Sequence, residues 1–412
     1  MIKLFIKNIR KGLHHFLERS SDIYFQLFSG INTGNRNKTY YKCAGRNVFF
    51  GYNDRSPLSS FGDVVLAHRT LDSKWNFDSP MFPIEIGFFD YENGELFHPI
   101  VKSNAWSLQQ GAMLQFLPGS FDRIMFNDFC GGSYLTRIYN LKGESIRDIP
   151  FAFYSISSDL NLITTIDFER LSYFRPGYGY NCRGHRGICL NDPIAYRVLN
   201  YSDCSTHREV LYEELGVLPH SIQFSYVNHL VFSKDNNYLS LFLVYQDQYD
   251  RRITCVIHDL INNTINRVNS DGMPSHFCWK SSNEFVLTIR DKRLAWSTNL
   301  YRILRNGEVA IESSLKGLTF DSHPVCTNAG KLIIDTAHAS VFGKSELYEY
   351  SLELCKPKFL ERFWSPSRFR GLLRSDLHHR LVRNEEELHL DVVKDGFRCS
   401  AILKLNDESS IY

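Results

Sequence analysis

Short alternating apolar runs separated by polar turns dominate this chain, and in its second half they recur at a fixed distance behind a histidine. His229, His276, His323 and His378 each lie three residues before a bulky or apolar residue, namely Phe232, Trp279, Cys326 and Leu381. A polar turn follows each time, then an apolar run at 238–245, 285–289, 332–334 or 388–393. Alternating runs of this length read as half-buried strands. The histidines are spaced by 47, 47 and 55 residues, which suits the blades of a β-propeller. The first half repeats more weakly but in phase. Arg55, Met113 and Phe153 take the histidine's place ahead of runs at 64–67, 123–126 and 160–166. Seven units predict an all-β, seven-bladed β-propeller. Equivalent blade starts face the channel, so the four imidazoles are expected to converge, with Arg55 beside His378 and an apolar side at Met113 and Phe153.

At ~50 residues per blade, seven blades take up residues 41–412 of the 412-residue chain and leave 1–40 as a separate N-terminal segment. Residues 46–52 are expected to help close the ring. An aromatic content of 14% suits pleated strands, and beyond residue 40 only 205–215 offers a helical pattern. Residues 1–17 differ. Lys3, Lys7, Arg10 and Lys11 meet no acid, and Ile2, Phe5, Ile9, Leu13 and Phe16 recur at steps of three and four. That is a short amphipathic helix, which either caps a propeller face or makes peripheral contact with an anionic membrane through residues 1–20. Charges interrupt its apolar runs before a signal-peptide core forms, and no segment has the ~18 apolar residues of a membrane span. Residues 29–40, rich in Gly and Asn, read as a linker.

Charge and cysteine usage narrow the setting. A net charge of +2 gives no footprint for nucleic acid, and no nucleic-acid partner is expected. The ten cysteines are scattered without a CxxC pair, which fits reduced thiols in a cytoplasmic protein. Cys182, His185 and Cys189 are too few and too widely spaced for a zinc loop.

Converging imidazoles suit a divalent transition metal such as Mn, Fe, Ni or Zn. Asp321 and Asp376 each lie two residues before a histidine, on the same side of an extended chain, where they can ligate or orient imidazoles. The alternative is that each histidine only hydrogen-bonds a loop. Arg55, Arg69, Arg175 and Arg374 can pair with sugar carboxylates. Tyr178 and Tyr180, flanked by glycines, can stack on a pyranose, although residues 175–180 also read as a rigid turn. For Asn127 and Asp128 the alternative is that they only terminate a strand.

The repeat form, blade count and blade-start histidines resemble oligogalacturonate lyase, a seven-bladed propeller family. The resemblance implies a divalent metal, usually Mn, held by three histidines and a glutamine, and β-elimination on uronate-containing oligosaccharides. His276, His323 and His378 match the metal histidines, and His229 falls near the catalytic one. Where the family has its glutamine, this chain has Phe320, so the fourth ligand would be His229, Asp321, Gln110 or water. The segments Gly51-Tyr52-Asn53-Asp54-Arg55, Gln110 to Gln115, Phe126-Asn127-Asp128, Arg175 to Tyr180 and Arg374 to His378 also resemble propeller proteins of bacterial polysaccharide gene clusters. Together these imply an acidic oligosaccharide as partner. His229 is then the base, with Arg55 steadying charge at the reacting carboxylate, and Arg175, Tyr178, Arg374 and Gln110 hold the substrate. A non-catalytic propeller that binds a glycan or a biosynthetic partner, or a rim-binding interaction propeller, is the alternative.

Overall fold

The computed structural model describes residues 19–20, 22–28 and 37–405, apart from 60, 73–81, 187, 248–249, 271, 292, 294 and 338–342. Its strands form seven antiparallel sheets arranged as propeller blades. Blade 1 comprises Val48–Phe49, Val64–Arg69, Ile84–Asp90 and Asn93–Ser103, and blade 2 runs from Gln115–Phe116 to Ser145–Ile149. Blade 3 has three strands, Leu162–Thr165, Ile194–Asn200 and Thr206–Leu211, with a bridge from Ile156 to Ile163 in place of an inner strand. Blades 4, 5 and 6 open with inner strands Tyr226–Phe232, Gly272–Trp279 and Pro324–Cys326.

Blade 7 closes the ring. Its strands Arg380–Val382, Glu387–Lys394 and Phe397–Lys404 are completed by Lys38–Tyr41 from the start of the chain, paired from Lys38 with Leu403 to Tyr41 with Ser400. Most of the closing strand therefore comes from the stretch expected to be linker, and residues 46–52 do not supply it. Val48–Phe49 is instead the inner strand of blade 1, and Phe50 and Gly51 reach blade 7 through hydrogen bonds from their N–H groups to Asp391. The outermost strand of a blade needs only one hydrogen-bonded neighbour, so four residues suffice.

One helical expectation changes. Thr206–Leu211 is a strand, and the helix is Phe168–Phe174. The Asp167 carboxylate accepts from the Glu169 and Arg170 N–H groups and starts this helix, while the Arg175-Pro176 step ends it. Near the N-terminus residues 22–28 are helical; Tyr24 and Phe28 stack on Trp364, and Asp22 accepts from Ser367. The basic helix expected over 1–17 lies outside the described residues.

Buried histidines give the fold a pH dependence. His68 is fully buried, and its Nε2 accepts from the Ala112 N–H. Burial pushes its pKa down to about 3. The fold thus favours neutral His68, whereas an unfolded chain protonates it below about pH 6.5. This stabilisation is complete above that pH and is lost as the pH falls towards 3. Chemical denaturation across this range should show wild type losing more stability than His68→Gln, whose amide oxygen still accepts from Ala112.

Candidate metal centre and channel site

Positive backbone φ angles mark three of the seven blade-start residues. Met113, His229 and His378 all adopt left-handed conformations, with φ of 57°, 57° and 39°. Pairing shifts between Asn228 and Val231 and between Pro274 and His276 mark the same place in blades 4 and 5. Such a break re-aims one side chain off the pleat, and the imidazoles gather as expected. The rings of His276 and His323 have centroids 4.0 Å apart, and those of His323 and His378 are 4.8 Å apart.

The group around which they gather is Tyr52. Its ring centroid lies 4.3 Å from that of His229, 4.8 Å from His378, 5.8 Å from His323 and 6.4 Å from His276. The Tyr52 hydroxyl and His276 Nδ1 share a 2.8 Å hydrogen bond, and His276 Nε2 is 3.6 Å from Asp321. Tyr52 reaches the channel because the inner strand of blade 1 breaks between Phe49 and Leu58. Asp391 holds Phe50 and Gly51, and the Arg380 guanidinium donates to the carbonyls of Gly51 and Tyr52. Gly51 has φ +135°, and a Cβ there would lie 2.9 Å from the Gln110 carbonyl. Gly51→Ala should therefore destabilise the protein by roughly 1–3 kcal/mol, measured by urea unfolding, and move Tyr52 off His276.

Within the histidine cluster, His323, Asp376 and His378 offer ligand atoms all within 4.8 Å of one another, and all three residues are buried. His323 donates its backbone N–H to Asp335, and its Nδ1 lies 3.0 Å from the same carboxylate, which leaves Nε2 for a ligand. Burial lowers the His323 pKa, but Asp335, with Asp376 and Asp321, outweighs it and the net shift is upward. His378 has no hydrogen-bond partner on either ring nitrogen, and burial, followed by His323, drives its pKa well below the usual range. An orphaned buried polar atom costs about 1–3 kcal/mol. A neutral imidazole with no hydrogen-bond partner, beside a second imidazole and a carboxylate, fits a divalent metal. This trio differs from the expected one by one member. Asp376 takes the place of His276, because Tyr52 and Asp321 already face both nitrogens of His276. The carboxylate that orients His323 is Asp335, across the hairpin in Leu332–Asp335.

Beside this trio lie three of the four expected substrate residues. Arg374 donates to Asp376 at 2.6 Å and to the Tyr178 hydroxyl at 2.8 Å. Arg175, at the C-terminal end of the 168–174 helix, places its guanidinium 4.7 Å from the Tyr178 ring centroid. The Tyr178 ring meets His229 edge-on at 5.8 Å. Tyr178 is thus buried between two cations rather than exposed for stacking. The fourth, Gln110, is buried; it donates to the Tyr154 hydroxyl and Asn228, and that hydroxyl also accepts from the His229 N–H. It supports His229 from behind. Tyr180 stacks on Phe168 and bonds Asn127, which in turn binds the Phe153 backbone, and Arg69 pairs with Glu85. Arg69 and Glu85 join neighbouring strands of blade 1, and Asn127 ties Tyr180 to the Phe153 backbone. Arg55 does not bond His378. It lies in the blade 1 break and pairs with Asp54 and the Tyr154 carbonyl.

His229 Nδ1 is buried without a hydrogen-bond partner. Burial, with Arg175, His323 and Arg55, holds its pKa well below the ordinary value, so it does not titrate near neutrality as expected. Below it a cavity of about 190 Å³ is lined by Tyr52, Asp54, His229, Trp279, Cys278 and Cys326. A second, of about 290 Å³, shares Asp54, Val231 and Phe232 with it and extends to Arg55, Ser155 and Lys234.

Fold and site together define a seven-bladed propeller with an imidazole–carboxylate cluster in its channel. Two structures of oligogalacturonate lyase are similar to it in fold. One, in complex with manganese, aligns with a TM-score of 0.60 at 11% identity over 92% of this chain and 99% of that one. The other, from Vibrio parahaemolyticus, has a TM-score of 0.60 at 9% identity over 92% and 96%. No family model and no curated protein sequence matches the chain.

Proposed function

We propose that this propeller is a metal-dependent, lyase-like protein that cleaves a uronate-containing oligosaccharide by β-elimination. The observation that carries this reading is the buried trio of His323, Asp376 and His378, with both ring nitrogens of His378 lacking a hydrogen bond, next to Arg175, Arg374 and His229. The two lyase structures of the same fold, one holding manganese, support it.

The trio would hold the divalent ion, which supplies positive charge to the uronate carboxylate and so eases loss of the neighbouring proton. Arg374 and Arg175 add fixed positive charge at the same mouth, where a carboxylate can be held in one orientation. Neutral His229 takes the proton at a ring nitrogen, with its backbone fixed by Tyr154. Its depressed basicity keeps it unprotonated at neutral pH. The Tyr52 hydroxyl is held as a neutral phenol, since burial pushes its pKa well above the ordinary value, and can donate a proton to the departing sugar oxygen.

Elimination leaves an unsaturated uronate that absorbs ultraviolet light, and hydrolysis does not. Manganese-loaded protein incubated with a panel of acidic oligosaccharides should develop that absorbance, and chelator should stop it. One observation favours a second reading, a non-catalytic glycan-binding propeller: the Tyr52 ring fills the space between the histidines. Calorimetric binding of an acidic oligosaccharide without any absorbance would select that reading.

A further inference from the structure

We infer that Cys278 and Cys326 form a thiol pair that is oxidised reversibly to a disulfide linking blades 5 and 6. Their Sγ atoms lie 3.3 Å apart. All ten cysteines are free thiols, and no other pair of them is in such contact among the described residues. The two sit on adjacent inner strands, Gly272–Trp279 and Pro324–Cys326. A disulfide requires about 2.0 Å between sulfurs, so the two atoms must approach by about 1.3 Å more.

Access is the second requirement, and the channel meets it. Both cysteines line the cavity of about 190 Å³ beneath Tyr52 and His229, which adjoins the larger cavity at Asp54, Val231 and Phe232. That space admits a small oxidant such as hydrogen peroxide. Cys326 is 8% exposed, whereas Cys278 is intermediate, so Cys278 is the one that reacts with the oxidant first.

The chemistry balances with peroxide as the named oxidant. The Cys278 thiolate attacks one peroxide oxygen; the O–O bond breaks, Cys278 becomes a sulfenic acid and the other oxygen leaves as water. The Cys326 thiol then attacks the sulfenic sulfur, forming the S–S bond and releasing a second water. Two thiols are oxidised by two electrons, and one peroxide is reduced to two waters. A dithiol reductant reverses the step by exchange. Burial raises the Cys278 thiol pKa well above the ordinary value, so oxidation should be slow at neutral pH and quicken as the pH rises.

The test uses the full chain, fully reduced and then exposed to dilute hydrogen peroxide, with unreacted thiols alkylated before digestion. The expected result is a cross-linked peptide joining Cys278 to Cys326, a protein mass lower by two hydrogens, a raised melting temperature, and recovery of both thiols after dithiothreitol. Cys278→Ser should lose the cross-link, and Cys326→Ser gives an independent check should the first variant fold poorly. Recovery of both cysteines from wild type as separately alkylated peptides, or as separately over-oxidised ones, would overturn the inference.

Discussion

Replacing His378 by glycine should abolish stoichiometric binding of manganese or a comparable divalent ion while leaving the propeller folded. Glycine suits the left-handed backbone at φ 39°, so the effect reports on the imidazole and not on strain. His378 is one of three possible ligands, and even residues that only orient a ligand change affinity by ~10–100-fold. A loss of roughly two orders of magnitude or more is therefore expected. A ligand at 100 times its dissociation constant stabilises the folded state by about 2.7 kcal/mol. Wild type should show that metal-dependent rise in melting temperature, and His378→Gly should not. His276→Ala should retain most of the rise, because Tyr52 and Asp321 engage that ring. A greater loss in His276→Ala than in His378→Gly would return His276 to the ligand set.

His229→Asn should lower the elimination rate by roughly 10²–10⁴-fold, the usual range for losing a positioned base, with metal content unchanged. Asparagine tolerates the left-handed backbone at φ 57°, and the backbone N–H to Tyr154 survives the change. Elemental analysis of the variant separates the two roles open to His229. Metal lost along with activity would make it a ligand; activity lost alone would leave it as the base.

How much of this could be read from the chain depended on where each residue lies relative to the repeat. The blades, the four histidines and the 374–378 segment obey a fixed register, and hydrophobic alternation reports register directly. Tyr52 does not obey it. It enters the channel through a break in blade 1, and the alternation that located the other inner strands says nothing inside a break. Its signal was the irregular Gly51-Tyr52-Asn53-Asp54-Arg55 segment, where only glycine fits against the Gln110 carbonyl. That same break explains why Arg55, counted as a blade start, pairs with Asp54 and blade 3. Asp335 escaped because it meets His323 across a hairpin, and a cross-strand partner cannot be identified before the register is known. The buried face of Tyr178 could not be foreseen either, since the covering guanidinium of Arg374 comes from the far end of the chain.

His323, Asp376 and His378 are proposed to hold one divalent ion in the channel. Crystals grown with manganese and measured for anomalous scattering test it most directly. A single strong peak among His323 Nε2, a ring nitrogen of His378 and the Asp376 carboxylate is the predicted result. A map with no peak there, or manganese seated elsewhere while His378 hydrogen-bonds an ordered water, would contradict it.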